Sequence, residues 1–455
     1  MKTRMNFKDE FYQKLKLLVL PIAIQNFMLA LVSATDAIML GWIDQTSLSA
    51  VSLAGQVQFV LSLFISGIAA GAGIMAAQYW GKRDAASIEK VIPIALRTNL
   101  LFSGLFTILA AFCPEILMRI FTNDAALVAS GSQYLRAVAL SYVLCGISQV
   151  YLILLKNTGH AAVSSRISST AVVLNIILNA ILIYGLCGAP ALGIRGAAYA
   201  TVAARVVELI WAYLETKKPE RVRILWNRLF SSAGKILSED FWRYTLPVLA
   251  ASLVWGIAYV LYSVIMGHMG SDAVAANSIT SIAKSLLSCL IRGVSGGAGV
   301  LIGNLLGANE LEKAREYGGR LSHLSIAIGI VTGGLLMLIS PAIVHFAPLS
   351  DTAAEYLQYM LLFCGLNLMA QSVNTTVLDG IFCAGGDAKF DMQGNIGAMW
   401  CFSVPLGFLA AFWLKLPVMV VYCIVNLDEI VKLPAVYHHY KKYIWVRNIT
   451  RDVED

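Results

Sequence analysis

Two stretches of this chain are versions of one motif, GIAAGAGIMAAQYWGKRD at residues 67–84 and GVSGGAGVLIGNLLGANE at residues 293–310. Their glycines coincide when the chain is shifted by 226 positions, as Gly67 and Gly293 show, and the same shift places Pro21 on Pro247. Small residues inside apolar helices let neighbouring helices approach closely. The sequence therefore predicts two halves that repeat each other, with the glycine motif as a packing surface.

The rest of the chain is apolar over most of its length. Of its 455 residues, 58% are hydrophobic and only 13% are charged, which is far from the average of soluble proteins. We count twelve apolar runs that are long enough to cross a bilayer as helices. The fold class that we predict is an all-α polytopic membrane protein with twelve transmembrane helices.

The longest polar interval divides these runs into six and six. We therefore predict an N-lobe at residues 1–216, a cytoplasmic linker at 217–240 and a C-lobe at 241–455. Because six spans bring each half back to its starting side, the two lobes should be parallel repeats, related by a pseudo-two-fold axis along the membrane normal.

Basic residues indicate the orientation. With the N-terminus inside, the outer connections carry only Arg119, Arg195 and Lys415, whereas the inner ones hold most of the loop lysines and arginines. The positive-inside rule then predicts a multi-pass protein of the cell membrane with both termini in the cytoplasm. Because the net charge of +7 comes from these loops, we expect no nucleic-acid partner.

Asp36 is the residue that most needs an explanation, because it lies within the first apolar run, LKLLVLPIAIQNFMLALVSATDAIMLGW at residues 15–42. It is about 9 Å along a helix from Trp42, too far for a two-atom stem to reach the interface. An intramembrane carboxylate costs about 2.5–3.5 kcal/mol on insertion scales and is a functional candidate by default. Pro21 in the same helix frees a backbone carbonyl and is a candidate hinge.

No enzyme motif appears in the sequence. HExxH, GxSxG and P-loop patterns are absent, and the eight cysteines are scattered singly without metal-ligand spacing. We therefore predict a protein that is not an enzyme and has no cofactor, and any transport that it performs would be driven by an ion gradient or be passive.

Several motifs together resemble the multidrug and toxic compound extrusion (MATE) family of the MOP flippase superfamily, over essentially the whole chain. Besides Pro21 and the two glycine motifs, they are ATDAIMLG (34–41), SLSAVSLAG (47–55), VVLNIILNAILIYG (172–185), GIRGAAYAT (193–201) and GIFCAGGDA (380–388). The resemblance implies a twelve-helix, two-lobed antiporter that exports drug-like or metabolic compounds in exchange for H⁺ or Na⁺.

The resemblance also assigns residues to an N-lobe site. The family's functional carboxylate falls on Asp36, and Asn175 falls on a polar position of the N-lobe pocket; we add Gln149, Asn179 and Thr201 as neighbouring oxygen donors. Such a set could hold Na⁺, but a single carboxylate in an apolar setting suits H⁺ at least as well. We favour H⁺, so that no metal is assigned with certainty.

The C-lobe departs from the family pattern. Trp255 and Ser372 stand near positions where relatives carry acids, while Lys284 and Arg292 lie in the eighth run. These two bases predict anionic or zwitterionic small-molecule substrates, although pairing with helix carbonyls or with Asp36 is an alternative. We also expect Arg205 to pair with Glu208.

A second function remains open at this stage. A flippase for lipid-linked oligosaccharides or other amphiphiles, from the same superfamily, is favoured by Lys284 and Arg292 but disfavoured by twelve spans, since such flippases typically have fourteen. For either function we expect membrane lipids as surroundings and a monomer. We also expect Asp379 and Asp387, at the inner end of the tenth run, to contact basic loop residues.

Overall fold

The computed structural model of the chain describes residues 7–41, 45–224, 226, 229, 234–347 and 349–452, and these residues form helices joined by short connections, with no strand among them. The helices are α1 (Phe7–Gly41), α2 (Gln45–Gly81), α3 (Ala85–Phe112), α4 (Pro114–Arg119), α5 (Ala125–Leu155), α6 (Ala161–Tyr184), α7 (Ile194–Thr216), α8 (Lys235–Gly267), α9 (Ser271–Gly307), α10 (Leu311–Phe346), α11 (Asp351–Thr375), α12 (Ala388–Asn395), α13 (Val404–Phe408), α14 (Val418–Val425) and α15 (Asp428–Tyr440).

Twelve membrane spans can be followed through the described residues. Ten stretches are long and apolar enough to cross a bilayer. One of them, Ala125–Tyr184, is interrupted at Thr158 and Gly159, whose dihedral angles are not helical, and so provides two spans. The last span consists of α14 and α15, which are separated at Asn426 and Leu427. The predicted all-α, twelve-helix membrane fold is thereby confirmed.

Contacts divide the chain into two compact units. The N unit is Phe27–Leu249, and the C unit is residues 7–26 together with Ala250–Asp452. Both divisions fall inside a helix, within α1 and within α8, a few residues after Pro21 and Pro247 respectively. The lobe and linker limits taken from the polar interval at 217–240 therefore stay a prediction, because the compact units divide the chain elsewhere.

The glycine motif explains how half of α8 joins the N unit. A Cβ atom on Gly67 would lie 2.9 Å from the Cα atom of Leu249, and one on Gly71 would lie 2.7 Å from the Cα atom of Thr245. Because real Cβ atoms do not come so close to backbone atoms, only glycine allows α2 to contact the first half of α8 in this way.

The second copy of the motif does the same in the C unit. A Cβ atom on Gly293 would lie 2.9 Å from the Cα atom of Ala23, and one on Gly297 would lie 2.8 Å from Cγ2 of Val19. These contacts join α9 to the first half of α1. They are related to those of the N unit by the same shift of 226 positions, so the sequence repeat is also a repeat of helix packing.

Each unit has its own apolar core. In the C unit the core includes the fully buried Tyr317, Phe382 and Trp445, and Phe11 of α1 packs into it with its ring centroid 4.8 Å from that of Tyr317. In the N unit the core surrounds Tyr142. The polar side chains described next lie within these units.

Candidate functional site

Asp36 lies in the second half of α1 and is held by neutral groups of the N unit. Its Oδ1 atom accepts a hydrogen bond of 2.6 Å from Nδ2 of Asn179. The same Nδ2 atom donates to Oδ1 of Asn175 at 3.2 Å, one turn earlier on α6, where side chains four residues apart share a face. Asn175 in turn donates to Oγ1 of Thr201 on α7 at 3.3 Å. Three of the four predicted neighbours of Asp36 thus form one hydrogen-bonded chain.

The partners of Asp36 provide no positive charge. Among the described residues, no basic side chain forms an ion pair with Asp36. Asn179 is only 1% exposed, and its Oδ1 atom has no hydrogen-bond partner. If the amide rotates, this oxygen can accept an O–H bond from a protonated Asp36. The arrangement can therefore satisfy both the charged and the neutral form of the carboxyl group.

Gln149, the fourth predicted neighbour, is half-buried and takes no part in that chain of hydrogen bonds. Its neighbour Ser148 instead donates to Oε1 of Glu208 at 2.6 Å. Glu208 also accepts two bonds, of 3.0 and 2.9 Å, from the guanidinium of Arg205. The predicted pair of Arg205 and Glu208 is confirmed, with one acid and one base in balance.

Lys284 of the C unit makes a structural contact. Its Nζ atom donates to Oδ1 of Asn367 at 3.0 Å, and Nδ2 of Asn367 donates to the carbonyl oxygen of Asn426 at 2.6 Å. Asn426 lies at the interruption between α14 and α15, where backbone carbonyls lose their helical partners. Lys284 therefore supports the broken last span through Asn367.

Arg292, two turns further along α9, has an exposed side chain in the middle of a spanning helix. Among the described residues it forms none of the ion pairs, although it interacts electrostatically with Asp379. Because a guanidinium facing lipid at this depth is costly, such a residue is expected to face water or a ligand.

The C unit also contains a buried group of charges that we call the Lys432 cluster, consisting of Asn374, Asp391, Asn395, Asp428, Glu429 and Lys432. Lys432 is 5% exposed, and its Nζ atom lies 3.2 Å from Oε1 of Glu429, 3.6 Å from Oδ2 of Asp428 and 3.2 Å from Oδ1 of Asn395. One ammonium group thus holds two acids and an amide.

Two more hydrogen bonds complete the cluster. Nδ2 of Asn374, on α11, donates to Oε2 of Glu429 at 2.8 Å. Nδ2 of Asn395, on α12, donates to Oδ1 of Asp391 at 3.1 Å. The cluster therefore joins α11, α12 and α15 through residues that are all buried.

The expectation for Asp379 and Asp387 is wrong. Asp387 contacts His439 of α15, with 2.7 Å between Oδ2 and Nε2, rather than a basic loop residue. Asp379 lies in the π-helical segment Thr376–Phe382 with its side chain exposed and interacts electrostatically with Asp391 and Lys432. A π-helical turn of this kind often marks a functional position.

The absence of acids at Trp255 and Ser372 does not leave the C unit without buried acids. Ser372 is buried and donates to the carbonyl oxygen of Ser325, and Trp255 stacks on Tyr259, so both positions are structural. The acids are found further along the chain, on α12 and α15. A signal was present, because Asp428, Glu429 and Lys432 lie inside the last apolar run, where any charge is a functional candidate.

Comparison with known proteins agrees with this architecture. The MatE family model matches residues 21–181 and again residues 247–409, so that its two copies begin at the two helix prolines. The uncharacterized transporter YisQ of Bacillus subtilis is 21% identical, over 94% of this chain and 93% of its own length. The probable multidrug resistance protein NorM of Agrobacterium fabrum is 24% identical, over 84% of this chain and 83% of its own.

Solved structures share the fold. One describes a MOP superfamily transporter from Pyrococcus furiosus whose binding pocket has reverse polarity. It aligns with a TM-score of 0.85 at 20% identity and covers 95% of each chain. At this level of identity the similarity concerns the fold alone.

Proposed function

Because the chain belongs to the MatE family, a family of multi-pass membrane transporters, we propose that it is a secondary antiporter that exports small organic compounds by alternating access, with Asp36 as its ion-coupling site. The match covers both halves of the chain, and relatives along most of its length carry multidrug resistance names. The sequence provides no nucleotide-binding motif, so an ion gradient is the energy source that we propose.

The observation that carries this proposal is the environment of Asp36. A carboxylate in a spanning helix, bonded by one neutral amide and accompanied by an unpartnered buried oxygen, can exist in two protonation states. Na⁺ would require several oxygens that point at one place. Here the amide hydrogens of Asn179 point at Asp36 and at Asn175. We therefore propose H⁺ as the coupling ion.

The test is Asp36→Asn, which keeps the size of the side chain and removes the titratable group. We expect the variant to be expressed and to unfold at a temperature near that of the wild type, but to lose efflux driven by an imposed pH gradient in vesicles. Asp124→Asn, which changes the exposed cap of α5 in the same unit, serves as the control and should retain efflux. Full gradient-driven efflux by Asp36→Asn would refute the coupling role.

We further propose that anionic or zwitterionic compounds are handled better than cations. Arg292 supports this proposal, because its exposed guanidinium can attract an anionic group by about 4 kcal/mol at 4 Å and an effective dielectric constant near 20. Asp379 beside it could hold the positive end of a zwitterion. Lys284 is engaged with Asn367 and should contribute less.

Efflux of one anionic and one cationic dye separates these roles. We expect Arg292→Ala to reduce export of the anionic dye severalfold while it spares the cationic dye. Lys284→Ala should lower the unfolding temperature without changing the preference between the dyes. Strong export of cations by the wild type, unaffected by Arg292→Ala, would contradict the proposed preference.

The cellular setting completes the proposal. We propose that the protein is a monomer. From the distribution of basic loops we also propose a protein of the cell membrane with both termini in the cytoplasm. Supporting this, Lys82 and Arg83 follow α2 directly, and Lys217 and Lys218 follow α7. A protease site added at the C-terminus should then be cleaved in inverted vesicles and protected in intact cells.

A further inference from the structure

We propose that the Lys432 cluster is a second proton-binding site, located in the C unit, which takes up and releases one proton during transport. This inference rests on the proposed antiport function for its role in turnover, but the binding of the proton can be measured without transport. The site involves none of the residues around Asp36.

The carboxylates of the cluster outnumber its bases. Three carboxylates of the cluster, those of Asp391, Asp428 and Glu429, surround a single ammonium group, and all four residues are buried. The titratable groups that face them from neighbouring elements are Asp379, Lys284, Arg292, Tyr262 and Cys383. Together these elements bring four carboxylates against three bases.

One carboxylate is therefore in excess when every acid and base is ionised. An uncompensated charge in a protein interior costs several kcal/mol. A buried carboxylate without a partner therefore binds a proton and becomes neutral. A single proton on one carboxylate oxygen makes the net charge of these acids and bases zero. Because the acids interact closely, that proton belongs to the cluster as a whole rather than to one residue.

The cluster also contains a buried oxygen without a hydrogen-bond partner among the described residues. Asn374 is 1% exposed, donates its Nδ2 to Glu429, and leaves its Oδ1 atom buried without a hydrogen-bond donor. Because the same Nδ2 atom also donates to the backbone carbonyl oxygen of Glu429 at 2.7 Å, the amide keeps its orientation, and a protonated carboxyl group would provide the donor that Oδ1 lacks. Asn179 has the same combination beside Asp36: an amide that donates to a carboxylate and an unpartnered Oδ1 atom.

A proton fits this site better than a metal ion does. Nζ of Lys432 already occupies the position between the oxygens of Asp428, Glu429 and Asn395, where a cation would be bound. In the described part of the chain, no group of three or more His, Cys, Asp and Glu side chains is arranged to hold a metal. The chemical change is thus the formation and loss of one O–H bond.

The geometry also indicates where the proton is held and how it enters. Glu429 is the best-satisfied acid, since it accepts from both Lys432 and Asn374. Within the residues that the structure describes, Asp391 accepts a side-chain hydrogen bond only from the neutral amide of Asn395, so its charge is the least compensated. Asp379 interacts with Asp391 and has an exposed side chain, which makes it the entry point for the proton.

The test counts protons bound by the purified full-length protein in detergent when the pH is lowered from mildly alkaline to mildly acidic. The reference is Asp36→Asn, which removes the site of the N unit. We expect Asp36→Asn with Asp391→Asn to bind one proton fewer than Asp36→Asn alone. The control pairs Asp36→Asn with Glu215→Gln, which removes a carboxylate of the N unit that is bonded to Lys218, and should show no such loss.

Asp428→Asn in the same background is the second variant, in case Asp391→Asn does not fold, and it should also lose one proton. An unchanged proton count in a folded variant of either kind would overturn the proposal. In transport, we expect Asp391→Asn alone to exchange one proton fewer per substrate molecule than the wild type, and an unchanged ratio would overturn the role in turnover.

Failure of this inference can be told apart from failure of the proposed function. If efflux by the wild type ignores an imposed pH gradient, the antiport proposal fails, while the proton count of the detergent-solubilised variants still decides whether the cluster binds a proton. If efflux follows the gradient and the count does not change, only the second site is refuted.

Discussion

The fourth and sixth spans of the two halves bury related side chains with different charge balance. In the N unit, Ser148 on α5 donates to Glu208 on α7, which pairs with Arg205. In the C unit, Asn374 on α11 donates to Glu429 on α15, which pairs with Lys432, and the shift of 226 positions places Ser148 on Asn374. The first arrangement is neutral, whereas the second carries additional carboxylates.

Helix packing, in contrast, is the same in the two units. Both glycine motifs admit the first half of a proline-containing helix at equivalent positions. The repeat therefore preserves the arrangement of the helices through close backbone contacts, which leave no room for an added atom. The buried charges can differ between the two units, because each charge needs only a compensating group nearby. The two halves thus share a fold without sharing a chemistry.

Removal of the base from each pair gives the largest expected effect and tests the difference in charge. Lys432→Met removes the ammonium group that the three buried carboxylates share and should destabilise the protein by about 3–5 kcal/mol. Arg205→Met leaves a single carboxylate, which one proton can neutralise, and should cost less. Thermal unfolding in detergent measures both changes.

Lys432→Arg provides the matched control, since it retains the positive charge and should recover most of the loss. Equal destabilisation by Lys432→Met and Arg205→Met would show that the extra acids of the C unit do not depend on Lys432.

The environment of Asp36 allows a second prediction. Asn179→Leu keeps the volume of the side chain but removes the hydrogen bond to the charged carboxylate, a bond of a kind worth about 1.5–3 kcal/mol. The protonated form of Asp36 is then favoured, so the pH dependence of efflux should move by about one to two pH units toward alkaline values.

Asn175→Leu, one step further from Asp36 in the same chain of hydrogen bonds, should give a smaller displacement in the same direction. The measurement is vesicle efflux as a function of pH. A displacement toward acidic pH in Asn179→Leu would show that this amide stabilises the neutral carboxyl group instead.

Part of the fold and of the two charged sites could be predicted from the sequence. Twelve helices in two halves could be predicted from the apolar runs, the polar interval and the repeated glycines. Spanning helices require long apolar runs, and close backbone contacts require small residues at repeated positions. Asp36 was identifiable because it is the one carboxylate in its run. Three charges of the Lys432 cluster were equally visible in the last run, but the cluster itself was not, since only folding shows that Asn374 and Asp391 approach α15. The division within α1 and α8 was equally hidden, because it depends on contacts and not on polarity.

The close helix packing that the two units share can be tested by adding a methyl group at the contact. Gly71→Ala would place a Cβ atom against Thr245, where the neighbour is backbone and cannot move cheaply, so we expect a loss of about 1–3 kcal/mol. Gly55→Ala in the same helix is the control, since no atom of another described helix lies within 4 Å of its added Cβ, and alanine there should be neutral or stabilising by up to about 1 kcal/mol. Similar unfolding temperatures for both variants would contradict close packing at Gly71.

The smallest effect on stability is expected at the two prolines, and their comparison tests the proposed hinge. Pro21→Ala restores a backbone N–H inside α1 and should favour the straight helix. Because the same helix carries Asp36, we expect substrate binding to persist while turnover falls severalfold. Pro247→Ala makes the equivalent change in α8, but the position that corresponds to Asp36 there is Tyr262, so no coupling carboxylate lies on that helix.

Transport kinetics of the two proline variants, measured under one imposed pH gradient, therefore separate two mechanisms. If bending matters because it follows protonation of the carboxylate on the same helix, Pro21→Ala should slow turnover more than Pro247→Ala does. If both prolines serve only to let each helix pass from one unit to the other, the two substitutions should act equally, since the packing of α1 and α8 is equivalent. Wild-type kinetics in Pro21→Ala would remove the hinge from the mechanism.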